Sequence, residues 1–282
     1  MPMPKVSVLM PVYKTQEEHL RQAIESVLNQ TYTDFEFLIL DDCPDDTRED
    51  IVKSYQDKRI KYSQNEKNLG ITPSRNKLID MAQGEYLAVF DHDDISLPER
   101  FAKQVAYLDA NKDVGVVSSW VKIGKRISKT PINDAEIKRA LMRQCALTHP
   151  ASMIRKSVLL DNKICYEEIF SPAEDYALWC RLIPHTNFHN IDEVLFHYRN
   201  HSGNTTHKQS KKMEQATFAI WSFVKEANPV IYNEFILKAK HTTRFRLFGI
   251  IPLLKTITQG NRTTTYLFGK LPLWSYKTVI KV

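Results

Sequence analysis

The chain lacks any uninterrupted apolar run near the ~18 residues that a membrane-spanning helix requires. Its strongest stretch, Leu247-Phe248-Gly249-Ile250-Ile251-Pro252-Leu253-Leu254, is short and broken by Pro252. The opening Met1-Pro2-Met3-Pro4-Lys5 runs straight into apolar residues, without the basic-then-apolar layout of a secretion signal. Cysteine is scarce: Cys43, Cys145, Cys165 and Cys180 are scattered, and no two form a CxxC pair. That argues against a zinc site or a disulfide framework and predicts buried thiols in a reducing, cytosolic compartment. No GxxxxGK[ST] segment occurs, and no GxGxxG follows the first apolar run, so phosphates are held neither by a P-loop nor by a dinucleotide fingerprint. Internal repeats and low-complexity linkers are also missing.

What is present suits a globular α/β chain. The 282 residues, 43% of them hydrophobic and 26% charged, suffice for one large core with an appendage. The net charge of +6 is unevenly spread. Residues 208–282 carry 13 Lys/Arg against 3 Asp/Glu, and the remainder is slightly acidic. The plain reading of the basic quarter is a solvated face. Its aromatics, among them Trp221, Phe223, Phe245 and Trp274, equally suit peripheral contact with an anionic membrane surface. We therefore expect two domains, 1–207 and a basic, helical extension over 208–282.

Apolar strands alternate with amphipathic helices along the first half. Strands are predicted at 6–10, 35–40, 60–62, 86–90 and from 114. Helices are predicted between them, with starts read from Asp46 and Glu49, from Thr72-Pro73, and from Ser96 and Glu99. This β-α-β order implies a mostly parallel, Rossmann-like sheet covered by helices on both faces. Later elements are a helix over 134–144 capped by Asn133, a strand near 152–154, a helix from 174 to 182, and strands at 187–191 and 194–198. Two helices, 211–227 and 230–248, end the chain. In open α/β sheets ligands bind beyond the carboxyl ends of the strands. The polar clusters there are Pro11-Val12-Tyr13, Asp41-Asp42 and Asp91-His92-Asp93-Asp94.

The last cluster is the strongest chemical signal. Three carboxylates at the mouth of a buried strand repel one another and are costly without a cation. Carboxylate oxygens suit Mg²⁺ or Mn²⁺, which keep positions open for substrate phosphates. An acidic turn capping the next helix is the plainer account of the same residues. Arg75 supplies a cation that could meet the same phosphates.

At this point the chain resembles glycosyltransferase family 2, which has the GT-A fold. The resemblance rests on Pro11-Val12-Tyr13, Ser26-Val27-Leu28-Asn29-Gln30-Thr31, Leu40-Asp41-Asp42, Asn68-Leu69-Gly70 with Arg75-Asn76, and Phe90-Asp91-His92-Asp93-Asp94, in the family's order. It covers about residues 4–205. It implies an inverting glycosyltransferase that moves a sugar, hexosyl or N-acetylhexosaminyl, from a nucleotide diphosphate donor, UDP above all, to an acceptor hydroxyl. Pro11 and Tyr13 would line the base and ribose pocket. Asp42 would accept from the uracil ring, with Asp41 beside it, and Asp91 with His92 would sit at the donor. Asp93 would bind Mn²⁺ or Mg²⁺, joined by His201 from the segment His197-Tyr198-Arg199-Asn200-His201-Ser202, and Arg199 would face the departing phosphate. The family's catalytic base lies in a Glu-Asp pair opening a helix, and Glu174-Asp175 fits it, with Asp175 as the base. Read alone, that pair is two acidic residues complementing a helix N-terminus. His149 would contact the acceptor or cap a turn. The acceptor would be a glycan or lipid-linked glycan of bacterial surface polysaccharide or lipopolysaccharide synthesis, on the inner face of the cell membrane.

Two rivals stand beside this reading. A sugar nucleotidyltransferase shares the architecture, but usually shows a Gly-rich, basic loop after the first strand, where this chain has Pro11-Val12-Tyr13-Lys14-Thr15. A nucleic-acid or anionic-surface binding protein fits the pI near 9.0. Its basic residues, however, cluster outside the α/β part and form no nucleic-acid motif.

Overall fold

The computed structural model describes residues 3–200, 209–238, 240–247, 251–259, 262–267 and 271–277, with side chains to residue 234 apart from residue 210. Strands Val6–Val12 (β1), Phe35–Asp41 (β2), Ile60–Gln64 (β3) and Tyr86–Val89 (β4) lie side by side in the order β3-β2-β1-β4, all parallel. Helices Glu17–Leu28 (α1), Glu49–Lys53 (α2) and Ile71–Met81 (α3) connect them. Every residue of β1 and β2 is buried, which is why both read as near-continuous apolar runs.

The sheet then becomes mixed. Beyond β4 come Ile95–Ser96 (β5), Arg100–Ala110 (α4), Val114–Ile123 (β6), Arg126–Ser128 (β7), Asp134–Leu141 (α5), Met153–Arg155 (β8), Lys156–Asp161 (α6), Glu174–Leu182 (α7) and Asn187–Tyr198 (β9). The sheet order is β3-β2-β1-β4-β8-β6-β9-β5, with β7 on β6. Strand β8 runs antiparallel to both β4 and β6, so the uniform parallel pattern holds only over the first four strands. Strand β9 joins the two strands predicted at 187–191 and 194–198. Its register against β6 shifts between Ser119 and Trp120, which absorbs the extra residues. Pairing of Ile95 with His197 carries the end of β9 to the turn that follows β4. Arg100, fully buried, locks this region: its Nη2 donates to the carbonyls of Val89 and Ser152, each at 2.9 Å. Burial lowers its pKa to about 9, against the pull of Asp94.

Several helix starts differ from expectation. Helix α2 opens at Glu49, whose N–H is taken by Thr47 Oγ1 at 3.1 Å; Asp46 pairs with Arg48 instead. Helix α3 opens at Ile71, so Thr72 lies inside it, and Gly70 precedes it at φ 87°. Helix α4 opens at Arg100, leaving Ser96 in β5. Asn133 gives α5 no side-chain cap. Cys43 and Cys180 are buried as predicted, but Cys145 and Cys165 are exposed.

The C-terminal part corrects the helical extension. After Ser210–Ala227 (α8), helix Pro229–Lys238 (α9) ends well before residue 248. The chain then forms an antiparallel sheet of Lys240–Leu247 (β10), Ile251–Gln259 (β11), Arg262–Leu267 (β12) and Leu271–Lys277 (β13), in that order. Threonines at 242, 243, 256, 258 and 263–265 supply the β-branched side chains that favour strands. The compact units are Met1–Phe223 and Val224–Val282, dividing inside α8. No helix among the described residues is long and apolar enough to cross a membrane.

Gly84 marks a close approach of the turn between α3 and β4 to β1. A Cβ there would stand 2.6 Å from the Ser7 backbone nitrogen, and the Gly84 N–H donates to Ser7 Oγ at 2.8 Å. Gly84→Ala is therefore expected to cost about 1–3 kcal/mol, read as a lower urea midpoint at unchanged m.

Candidate active site

The loops beyond β1, β2 and β4 form one end of the sheet. Pro11 is buried within β1, paired in register with Leu40, whereas Tyr13 emerges 45% exposed. Of the pair expected to line a pocket, only Tyr13 is open. Asp41 and Asp42 turn inward. Asp41, at 0% exposure, accepts the N–H groups of Cys43 and Arg48 and the hydroxyls of Thr47 and Tyr62. It therefore organises the loop after β2 and does not face the opening, contrary to its expected place beside a donor. Asp42 accepts Asn65 Nδ2 and the Leu69 N–H through Oδ1 and the Gly70 N–H through Oδ2, all at 2.8 Å. These bonds fasten the 65–70 loop and hold Gly70 in the left-handed conformation that starts α3.

The acidic turn after β4 divides its residues by direction. Asp91, His92 and Asp93 are half-buried. His92 Nδ1 shares a 2.8 Å hydrogen bond with Thr15 Oγ1, which ties this turn to the loop after β1. Asp94 points inward, accepting the Arg199 N–H at 2.7 Å. Burial, with Asp91 and Asp93 alongside, pushes Asp94 well above the usual carboxylate range. Among the described residues no three His, Cys, Asp or Glu side chains come together as a metal cage. Two half-open carboxylates at a strand end instead fit a hard cation that takes its other ligands from phosphate and water. His201, the other expected ligand, lies outside the described residues. Arg199 Nη2 donates to Gln22 Oε1 at 2.5 Å.

A third group meets this end from α3 and α7. Arg75 donates from Nη1 to Glu174 Oε1 at 2.6 Å and reaches Asp91 Oδ1 from Nη2 at 3.4 Å. Burial alone would lower the Arg75 pKa, but Asp91 and Glu174 outweigh it and raise the value. Glu174 is 3% exposed, and its Oε2 finds no donor among the described residues. Beside it Asp175 accepts the Tyr176 N–H at 2.7 Å. Burial and the Glu174 charge raise the Asp175 pKa to about 6, and Arg75 opposes them. Helix α7 thus begins with two carboxylates in unlike environments, one ion-paired and one poised near neutrality.

Tyr166 and His149 complete the floor. The Arg75 guanidinium lies 5.6 Å from the Tyr166 ring centre. His149 is buried, and its Nε2 shares a 2.7 Å hydrogen bond with Tyr166 Oη. Burial, Arg75 and Arg100 hold His149 far below its usual pKa. It is an internal group opening a short 3₁₀ turn, so the expected acceptor contact is not where the fold puts it. Sequence reasoning missed Tyr166 altogether. No local pattern marks it, because its partners come from α3 and from the 149 turn.

Comparisons with known proteins show the family and the fold. The model of glycosyl transferase family 2 matches residues 7–165. The chain belongs to glycosyltransferase family 2. It is 39% identical over 207 residues to an uncharacterized glycosyltransferase of Methanocaldococcus jannaschii, spanning 70% of this chain and 71% of that protein. It is 30% identical to the O-antigen biosynthesis glycosyltransferase WbnJ of Escherichia coli, over 78% of this chain and 89% of WbnJ. The fold is shared with S. aureus TarS 1–349, solved with UDP-GlcNAc, at TM-score 0.67 and 21% identity over 83% of this chain and 72% of that one. It is also shared with the mannosyltransferase PcManGT of Pyrobaculum calidifontis, solved with GDP-Man and Mn²⁺, at TM-score 0.60 and 16% identity over 83% and 73%. The expected GT-A architecture is thereby borne out, and the enzyme is a glycosyltransferase.

In this family 2 chain, Arg75 is the buried cation to test. Arg75→Met strands Glu174 as an uncompensated buried charge and is expected to cost about 3–5 kcal/mol of folding stability. Arg75→Met with Glu174→Gln should recover part of that loss in the same urea titration.

Proposed function

We propose that the enzyme is an inverting glycosyltransferase in which Asp175 is the general base for an acceptor hydroxyl. The observation that carries this reading is the meeting of Arg75, Asp91 and Glu174, from three separate segments, with Asp175 beside them at a pKa of about 6. An alcohol loses its proton only as it attacks, so it needs a base that is ionised yet still basic near neutral pH. Asp175 meets that requirement. Glu174 does not, because Arg75 already occupies one of its oxygens.

The donor is proposed to lie over the ends of β1, β2 and β4. Tyr13 would cover the base, and Asp42, buried with three donors bound, would hold the 65–70 loop beside it and offer its remaining lone pair to a ring N–H only at the edge of that loop. Asp91 would take ribose hydroxyls, with His92 fixing the turn against Thr15. Asp93, with His201, would hold a divalent ion, Mn²⁺ or Mg²⁺, which when bound stabilises negative charge on a departing diphosphate. A base on the attacking side, apart from the leaving diphosphate, describes one in-line displacement and inversion at the anomeric carbon.

Uridine is the proposed nucleoside and a hexosyl or N-acetylhexosaminyl group the proposed cargo. Two solved structures of this fold carry UDP-GlcNAc and GDP-Man, so the fold admits either base. Similarity to an O-antigen biosynthesis enzyme supports a glycan or lipid-linked glycan acceptor in surface polysaccharide synthesis. The basic 208–282 segment supports peripheral contact with an anionic membrane on its cytoplasmic side.

A panel of sugar nucleotides, assayed for transfer or hydrolysis with and without Mn²⁺, tests the reading. Asp175→Asn is expected to lower kcat by about 10²–10⁴-fold while nucleotide-sugar binding persists. Full activity in that variant would remove the base assignment. Asp93→Ala should abolish the Mn²⁺-dependent part of donor binding in calorimetry. Because Asp175 is protonated below its raised pKa, kcat should rise with pH through about 6. A flat profile from pH 5 to 7 contradicts this.

A further inference from the structure

We propose that Tyr166 is a positioning residue that holds the Arg75 guanidinium between Asp91 and Glu174. Three contacts fix Tyr166 and leave its ring little choice. Asn76, next to Arg75 on α3, clamps its backbone from both sides: Nδ2 donates to the Tyr166 carbonyl at 2.9 Å, and Oδ1 accepts the Tyr166 N–H at 3.0 Å. The third contact is the 2.7 Å bond between Tyr166 Oη and His149 Nε2. His149 also meets Tyr166 edge-on, with ring centres 5.6 Å apart, and leans on Trp179 of α7 at 5.8 Å. The residue thus joins α3 to the 149 turn, and His149 carries the contact on to Trp179 of α7.

The ring is what Arg75 rests on. A guanidinium within about 6 Å of an aromatic face is attracted by the ring quadrupole, more strongly when water is excluded. Tyr166 is 4% exposed and the Arg75 side chain 12%, so water is largely excluded on both sides. Asp91 and Glu174 pull the cation in different directions at 3.4 and 2.6 Å. The ring adds a third, uncharged support beside those two carboxylates. His149 is buried and kept neutral, so it can anchor the phenol across the neutral pH range without adding charge.

The consequence reaches the base, and to that extent the inference rests on the transferase reading above. The charges felt at Asp175 are Glu174 on its own helix, Arg75 from α3 and Asp91 after β4. Cys180 and Tyr166 are buried and, like Cys145, have raised pKa values, so all three stay protonated near neutral pH. Of these groups Arg75 alone lowers the Asp175 pKa. If Arg75 swings away from this place, Asp175 becomes harder to ionise.

The test is a carboxyl-¹³C aspartate NMR titration of the ligand-free protein, with the Asp175 resonance assigned by its loss in Asp175→Asn. Tyr166→Leu is expected to raise the Asp175 midpoint by roughly half a pH unit or more. Tyr166→Phe keeps the ring and loses the His149 bond, so a smaller upward shift is expected. An unmoved midpoint in a folded Tyr166→Leu protein overturns the proposal. Should that variant fail to fold, Tyr166→Phe decides: an upward shift supports the proposal and an unchanged midpoint overturns it. No sugar nucleotide enters this measurement. A failure of the base assignment, read as activity in Asp175→Asn, is therefore separate from a failure here.

Discussion

A single buried cation organises this site. Arg75 sits among carboxylates from two other parts of the chain, and each of those carboxylates would be costly where it stands without it. The ion pair with Glu174 fixes the start of α7 against α3, and so sets where Asp175 projects. Asp175, one residue on, has no such pair among the described residues and keeps a raised pKa. Two adjacent acids thus acquire different chemistry from one cation placed nearer to one of them. That separation of roles is a general route to acid and base function within one site.

Acidic residues do most of the architectural work around that centre. Asp41 and Asp42 spend their oxygens on backbone N–H groups and hydroxyls of the two loops that follow β2 and β3. Asp94 receives the N–H of Arg199 and draws the end of β9 toward the turn after β4. Charged hydrogen bonds of this kind are stronger than neutral ones and hold irregular backbone in one shape. Loops at the mouth of an α/β sheet are otherwise the most mobile part of such a fold. Here they are tied down, with Tyr13 exposed and Asp91 and Asp93 half-buried among them.

Much of the architecture was legible in the residue pattern, because burial on both faces forces near-continuous apolar strands. The first four strands and the helix opening at Glu174 follow directly from it. Helix starts were less legible. Thr72, Ser96 and Asp46 all have the chemistry of caps, yet the structure places them within a helix, within a strand and in an ion pair with Arg48. A capping side chain competes with every other partner in reach, and tertiary contacts decided each case. The mixed order of the sheet was hidden for a similar reason: β8 has three residues, too few to show direction or neighbours. The strands after Lys238 are not legible as strands, since the aromatic and basic residues there suit both periods.

The sequence alone determined the alternation of elements and the positions of the acidic clusters at strand ends. Those depend on periodicity and local order, which are properties of neighbouring residues. Only the tertiary structure decided which acids face inward, that His149 is internal, and that Tyr166 supports Arg75. Each of these is a contact between distant segments; Arg75 and Glu174 are 99 residues apart. A carboxylate's role follows from burial and from the nearest cation, and neither exists until the chain has folded.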